Sequence, residues 1–115
     1  MKHLFYFIIY SFCCFNISVN AQNNITVGSA YLKILRDNYL SKIENPTSQL
    51  YCIISAYNSG AGNVFKTFHH NRKQAIQRIN NLSVDEVLWR LRKHQPSHEA
   101  RRYVEKVLAY QKKYY

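Results

Sequence analysis

Apolar positions recur along this chain at helical spacing from about residue 26 to the C-terminus. Val27, Ala30, Tyr31, Ile34 and Leu35 fall three and four apart, which predicts an amphipathic helix over roughly 26–39, with Lys33, Arg36 and Asp37 on its wet side. Asn45-Pro46 opens the next helix: a capping side chain, then proline in the first turn, where its missing N–H costs nothing. That helix carries Leu50, Ile53, Ile54 and Tyr57 and ends at Ser59-Gly60-Ala61-Gly62, because glycine can take the left-handed conformation of a helix C-terminus. A short helix with Val64, Phe65 and Phe68 follows. Beyond the polar stretch His69 to Lys73, Ala75, Ile76 and Ile79 make two further turns. Ser83-Val84-Asp85-Glu86 reads as a capping box, with Val84, Val87, Leu88 and Leu91 on one face behind it. Pro96 ends that helix and starts the last, whose stripe is Ala100, Tyr103, Val104, Val107, Leu108 and Tyr114. No segment alternates long enough to read as a strand, and no internal repeat occurs. The pattern predicts an all-α chain with five main helical segments.

The first residues follow a different pattern. Met1-Lys2-His3 is a short basic start, and the apolar run Leu4 to Phe15 follows it. Val19 and Ala21 supply small residues at the two positions that a signal peptidase inspects, making Gln22 the new N-terminus. The run is too short to span a bilayer, which takes about 20 residues in a helix. The alternative is an ordinary core helix. A lipid anchor at Cys13 is disfavoured, because bulky Phe12 precedes it. The expected division is a signal-peptide-like segment, 1–21, and one helical domain, 22–115.

Composition narrows the picture. Apolar residues make up 47% of the chain, too many for a disordered basic tail despite a net charge of +10. Removing 21 of the 115 residues leaves 94, and loss of Lys2 lowers the charge to +9. A chain of that size buries only about two-thirds of its unfolded surface, so modest stability is expected. Cys13 and Cys14 would leave with the leader. Cys52 then has no partner for an internal disulfide, and its neighbours Ile53 and Ile54 make it a buried small hydrophobe.

Most candidate chemistry is weak. Gly60-Ala61-Gly62 begins like a dinucleotide loop, but Phe65 stands where a third glycine belongs and no strand precedes it. His94 and His98 have the spacing of two metal ligands on one helix, yet Pro96 between them breaks the shared face. His69-His70 lacks an acid or thiol nearby. No metal or cofactor is expected. Of the six acids, Asp37, Asp85, Glu86 and Glu105 have helix-surface duties, Glu44 precedes a cap, and Glu99 sits where a helix dipole favours an anion. No carboxylate pair is placed for two-acid sugar hydrolysis. The cluster Ser55 to Asn63 stands apart, crowding aromatic, amide, hydroxyl and glycine groups at one helix end. A tyrosine face can pack on a sugar ring, and an asparagine amide can bond its hydroxyl or N-acetyl groups. A glycine-ended helix with a capping amide accounts for the same residues.

At this cluster the chain resembles a known family. Ala56-Tyr57-Asn58-Ser59-Gly60-Ala61-Gly62 is similar to the Ala-Tyr-Asn-x-Gly motif of family 1 lytic transglycosylases, goose-lysozyme-like enzymes that cut peptidoglycan. Asn24 to Leu32, Asn45-Pro46-Thr47-Ser48 and Pro96 to Val104 resemble further family segments, so the likeness covers about residues 24–113. The resemblance implies the C-terminal part of a lysozyme-like (goose-lysozyme/SLT) helical domain. It also implies cleavage of the β-1,4 bond between N-acetylmuramic acid and N-acetylglucosamine without water, giving a 1,6-anhydro product. One glutamate acts first as acid and then as base, which needs a pKa raised by an apolar pocket. By the same resemblance Tyr57 and Asn58 line the glycan groove, and Gly60 and Gly62 let the chain turn beside the substrate. Tyr103 stands near the catalytic glutamate.

In the family that glutamate, in a Glu-Ser motif, precedes the helix that begins here near Ile25, and this chain has only the leader-like segment there. Glu44 and Glu99 match non-catalytic family positions. The expectation is a truncated transglycosylase domain with no catalytic residue of its own, inactive alone and exported to the periplasm or outer membrane. Its partners would be peptidoglycan strands and a separate chain carrying the missing half. Two alternatives stay open: a non-catalytic peptidoglycan-binding module, and a basic helical nucleic-acid binder using Arg90, Arg92, Lys93, Arg101 and Arg102, against which the export signal argues.

Overall fold

The computed structural model of the protein describes residues 21–114. The expected leader (1–21), with Cys13 and Cys14, lies outside the described residues except for Ala21. Among the described residues the fold is all-α, as the pattern predicts. The helices are α1 (Ala21–Ile34), α2 (Pro46–Ser59), α3 (Ala61–Phe68), α4 (Arg72–Asn81), α5 (Val84–Lys93) and α6 (His98–Tyr114). The two turns expected around Ala75 and Ile79 are a full helix, α4, because the Asn71 side chain caps it by accepting from the Gln74 N–H at 3.2 Å.

Helix α2 is the centre of the molecule. Its six consecutive residues Cys52 to Tyr57 are all buried, and it packs against α1, α3, α5 and α6. Its start follows the expected chemistry: the Asn45 side chain accepts from the N–H groups of Thr47 (2.9 Å) and Ser48 (3.1 Å), with Pro46 beside it. Cys52 is fully buried and its thiol is pushed up to about 12 by that burial, so it packs as a hydrophobe. At α5 the serine half of the capping box forms, Ser83 Oγ accepting from the Glu86 N–H at 3.2 Å.

Two expectations need correction. The first helix begins at Ala21 rather than 26, and its last turn, Leu35–Tyr39, is π-helical, with the Leu40 N–H bonded to the Leu35 carbonyl at 2.8 Å. In an α-helix residues five apart sit about 140° from one another; the wider π turn brings Leu35 and Leu40 inward together. Both are at most 1% exposed. The inward face of α1 is therefore Gly28, Leu32 and Leu35, while Ala30, Tyr31 and Ile34 turn outward. The last helix starts at His98, two residues beyond Pro96, and Ser97 caps it by accepting from the Ala100 N–H at 3.3 Å.

Side chains tie the loops down. Gln49 donates to the Leu40 carbonyl at 2.9 Å, closing the end of the π turn. Arg72 lies between the rings of Tyr39 and Phe65, 5.5 and 5.2 Å from their centroids. Asn80 clasps the loop before α2, its Oδ1 accepting from the Glu44 N–H at 3.0 Å and its Nδ2 donating to the Lys42 carbonyl at 3.1 Å. Asn80→Ala removes both bonds and should cost about 1–2 kcal/mol. Urea unfolding checks it: the midpoint falls while the slope stays constant.

Candidate functional site

The end of α2 and the start of α3 are joined through one residue. The Gly60 N–H donates to the Ala56 carbonyl at 2.7 Å, the last bond of α2, and its own carbonyl accepts from the Val64 N–H, the first bond of α3. Serving both helices forces Gly60 to φ 90°, ψ 150°, a region essentially reserved for glycine. This is not the left-handed cap expected from sequence, although the residue is the one expected. Gly62 does not turn the chain: it lies inside α3, exposed, with no positive φ.

Beside this turn tyrosines from three helices meet. Tyr57, buried on α2, has its ring 5.7 Å from that of Tyr31 on α1, tilted by 42°. Tyr103 on α6 is half-buried; burial first, and then the neighbouring Tyr57 phenol, push its hydroxyl up to about 12. Tyr31 is raised above the ordinary tyrosine value by partial burial and then by Tyr39. Asn58 stands exposed next to Tyr57. The Asn63 amide donates to the Ser59 carbonyl at 2.6 Å, and Ser59 Oγ donates back to the Ser55 carbonyl at 3.0 Å. Tyr57, Asn58, Gly60 and Tyr103 thus lie on or beside one aromatic wall, and Gly62 one turn away on α3.

The Tyr103 shift has a pH consequence. The native phenol holds its proton more tightly than an unfolded one, which titrates near 10.0. Stability from this group is therefore complete below about pH 10 and lost as pH rises through about 12. Denaturant midpoints measured across that window should fall more steeply for the wild type than for Tyr103→Phe.

Sequence reasoning missed two residues of this region. Helical spacing puts Tyr31 on the core face of α1, and its part in the wall emerges only from the one-position rotation of that face. Gln95, between α5 and α6, is completely buried. Its amide donates to the Leu91 carbonyl at 2.8 Å, its Oε1 lies 3.4 Å from Ser59 Oγ, and its backbone carbonyl accepts from Arg101 at 2.6 Å. A polar residue before proline looks like a solvated loop in sequence, so no local signal marks it. The neighbouring His94 packs edge-on against Trp89, ring centroids 4.8 Å apart.

A family model described as Transglycosylase SLT domain matches residues 16–80, more than half of the chain. The chain belongs to the transglycosylase SLT domain family. Several curated proteins named membrane-bound lytic murein transglycosylase C resemble it. That of Pectobacterium atrosepticum is 48% identical over 93 residues, 81% of this chain and 26% of the relative. That of Actinobacillus pleuropneumoniae serotype 5b is 50% identical over 95 residues, 83% and 26%. The protein of Yersinia pestis strain Pestoides F is 45% identical over 93 residues, 81% and 26%. The chain thus spans about a quarter of the length of these relatives. The SLT match runs from α1 through all but the last residue of α4, and so takes in Tyr31, Tyr57, Asn58 and Gly60.

The carboxylates of this SLT chain are all outside the wall. Asp37, Glu44, Asp85, Glu86, Glu99 and Glu105, the chain's six acids, are each exposed. Asp37 pairs with Arg36 at 2.9 Å and Glu105 with Arg92 at 3.1 Å. Proton transfer by a carboxyl group near neutral pH calls for an enclosed, apolar setting, whereas all six lie in solvent.

Proposed function

We propose that residues 22–115 form the glycan-cradling wall of a murein-cutting lytic transglycosylase, acting in the cell envelope after removal of a leader at 1–21. On their own they bind peptidoglycan strands without cleaving them. The observation that carries this reading is an aromatic wall of Tyr31, Tyr57 and Tyr103 beside the Gly60 turn, in a chain whose carboxylates are all exposed.

The partly exposed rings of Tyr31 and Tyr103, backed by buried Tyr57, suit sugar rings, and the exposed Asn58 amide can donate to and accept from N-acetyl and hydroxyl groups. The family reaction also needs a glutamate that gives a proton to the leaving oxygen and then takes one from the muramyl 6-hydroxyl. Its source would lie outside residues 22–115, in a further segment of the same protein or in a separate chain. Tyr103, with its firmly held proton, is suited to donate a hydrogen bond to such a carboxylate.

Purified chain incubated with murein sacculi tests both halves. The expected result is retention on the sacculi, weakened in Asn58→Ala, with no anhydro-muropeptides released. Absence of retention overturns the binding role. Anhydro product that disappears in Glu44→Gln or Glu99→Gln overturns the claim that the acid comes from elsewhere. Fusing residues 1–22 to a reporter tests the leader: a reporter retained in the cytoplasm would refute export.

A further inference from the structure

We propose that α5 and α6 carry a second glycan-contacting surface, centred on Trp89, that grips the carboxylate-bearing strands of murein apart from the tyrosine wall; it rests on the reading that this chain binds murein. Trp89 is the chain's single tryptophan and is 54% exposed, more than any other large hydrophobic among the described residues. Its helix turns Val87 and Leu91 into the core. Trp89 lies two positions from each, about 200° around the helix, and so points away from the core. His94 supports the indole from one side.

Trp89 does not itself line the groove that α5 forms with α6; Arg92, on the same side of α5, links the two. Arg92 and Lys93, three and four residues on, share the Trp89 side of α5 and are both exposed. Arg92 reaches Glu105 on α6, and these two residues, with Leu108, Ala109, Gln111 and Lys112, line an open groove of about 670 Å³. That volume lies within the usual range for ligand clefts, about 300–1,000 Å³. The chemistry fits a sugar that carries carboxylates. An indole face and the apolar Leu108–Ala109 floor suit the C–H face of a ring, Gln111 can bond an amide or hydroxyl, and Arg92, Lys93 and Lys112 attract acids. Glu105 is the one acid of the groove, and Arg92 already engages it. The net charge of +9 left after loss of the leader with Lys2 raises the local concentration of any polyanion. An acidic protein is a poorer fit, since stable protein contacts need about 800 Å² per partner around an apolar centre, and here one indole sits among charges.

The single tryptophan makes the test direct. Soluble, peptide-bearing murein strands titrated into the chain should shift Trp89 emission to the blue and protect it from acrylamide. A neutral chitin oligosaccharide should do so more weakly. Trp89→Ala should reduce affinity for sacculi about tenfold, a typical loss for an aromatic anchor, while Trp89→Phe keeps most of it. Lys112→Glu should weaken binding most at low salt. If Trp89→Ala and wild type bind sacculi equally and the emission does not move, this surface is refuted while the tyrosine wall stands. No retention of the wild type refutes the reading beneath both. An equal emission response to polyglutamate overturns the glycan in favour of an acidic protein.

Discussion

Gly60→Ala should lower stability by about 2–3 kcal/mol, the backbone strain of holding a side-chain-bearing residue in a glycine-only region. No neighbouring atom lies within 4 Å of the methyl this change would add, so the cost comes from the torsion and not from a clash. For a domain of this size that is a fall in Tm of roughly 10–20 °C. Relaxing the torsion would break either the last bond of α2 or the first of α3, so the tyrosine wall should loosen along with it. Gly62→Ala has the opposite sign. Gly62 is helical and exposed, with open space around it, so alanine should stabilise by about 0.5–1 kcal/mol. Thermal melts of the two variants side by side separate conformational need from mere proximity. If Gly62→Ala gains stability yet binds sacculi poorly, Gly62 lies against the glycan for reasons of space.

Gln95→Ala should be the most damaging polar substitution, at about 3 kcal/mol, because it combines a cavity with a stranded buried acceptor. The Leu91 carbonyl loses the amide that covers it, and Ser59 loses its contact with the segment between α5 and α6. Gln95→Leu refills the volume and should recover part of the loss, which isolates the hydrogen-bonding share. Gln95→Glu places a carboxylate in a fully buried position, so its folded-state pKa rises above the unfolded value of about 4.3. That raised value means the variant is least destabilised in acid and loses stability as pH increases through it. Urea unfolding of the three variants at several pH values measures every one of these differences.

Local signals accounted for much of the architecture. Asn45-Pro46 and Ser83 start helices because their side-chain oxygens satisfy N–H groups a few residues away, an interaction that needs no distant partner. The buried stripes of α3, α4, α5 and α6 follow the 3.6-residue period, whereas central α2 is buried all round from Cys52 to Tyr57. The site was less legible. The tyrosine–asparagine–glycine cluster is contiguous in sequence and stood out, and its resemblance to a family agreed with the match over 16–80. Tyr31 and Gln95 did not stand out, because their roles depend on residues that approach from other helices.

The order and kind of the helices, the capped starts of α2 and α5, the burial of Cys52 and the family were all written in the chain itself, since each rests on contacts or patterns within a few residues. Tertiary packing decided the rest. It settled which side of α1 turns inward after a π turn, which of two glycines is torsionally indispensable, and how far below the surface Gln95 sits. It also left Trp89 outside the core, although its helix is amphipathic. Those outcomes depend on how separate helices share one small interior, a quantity that no local stretch of sequence contains.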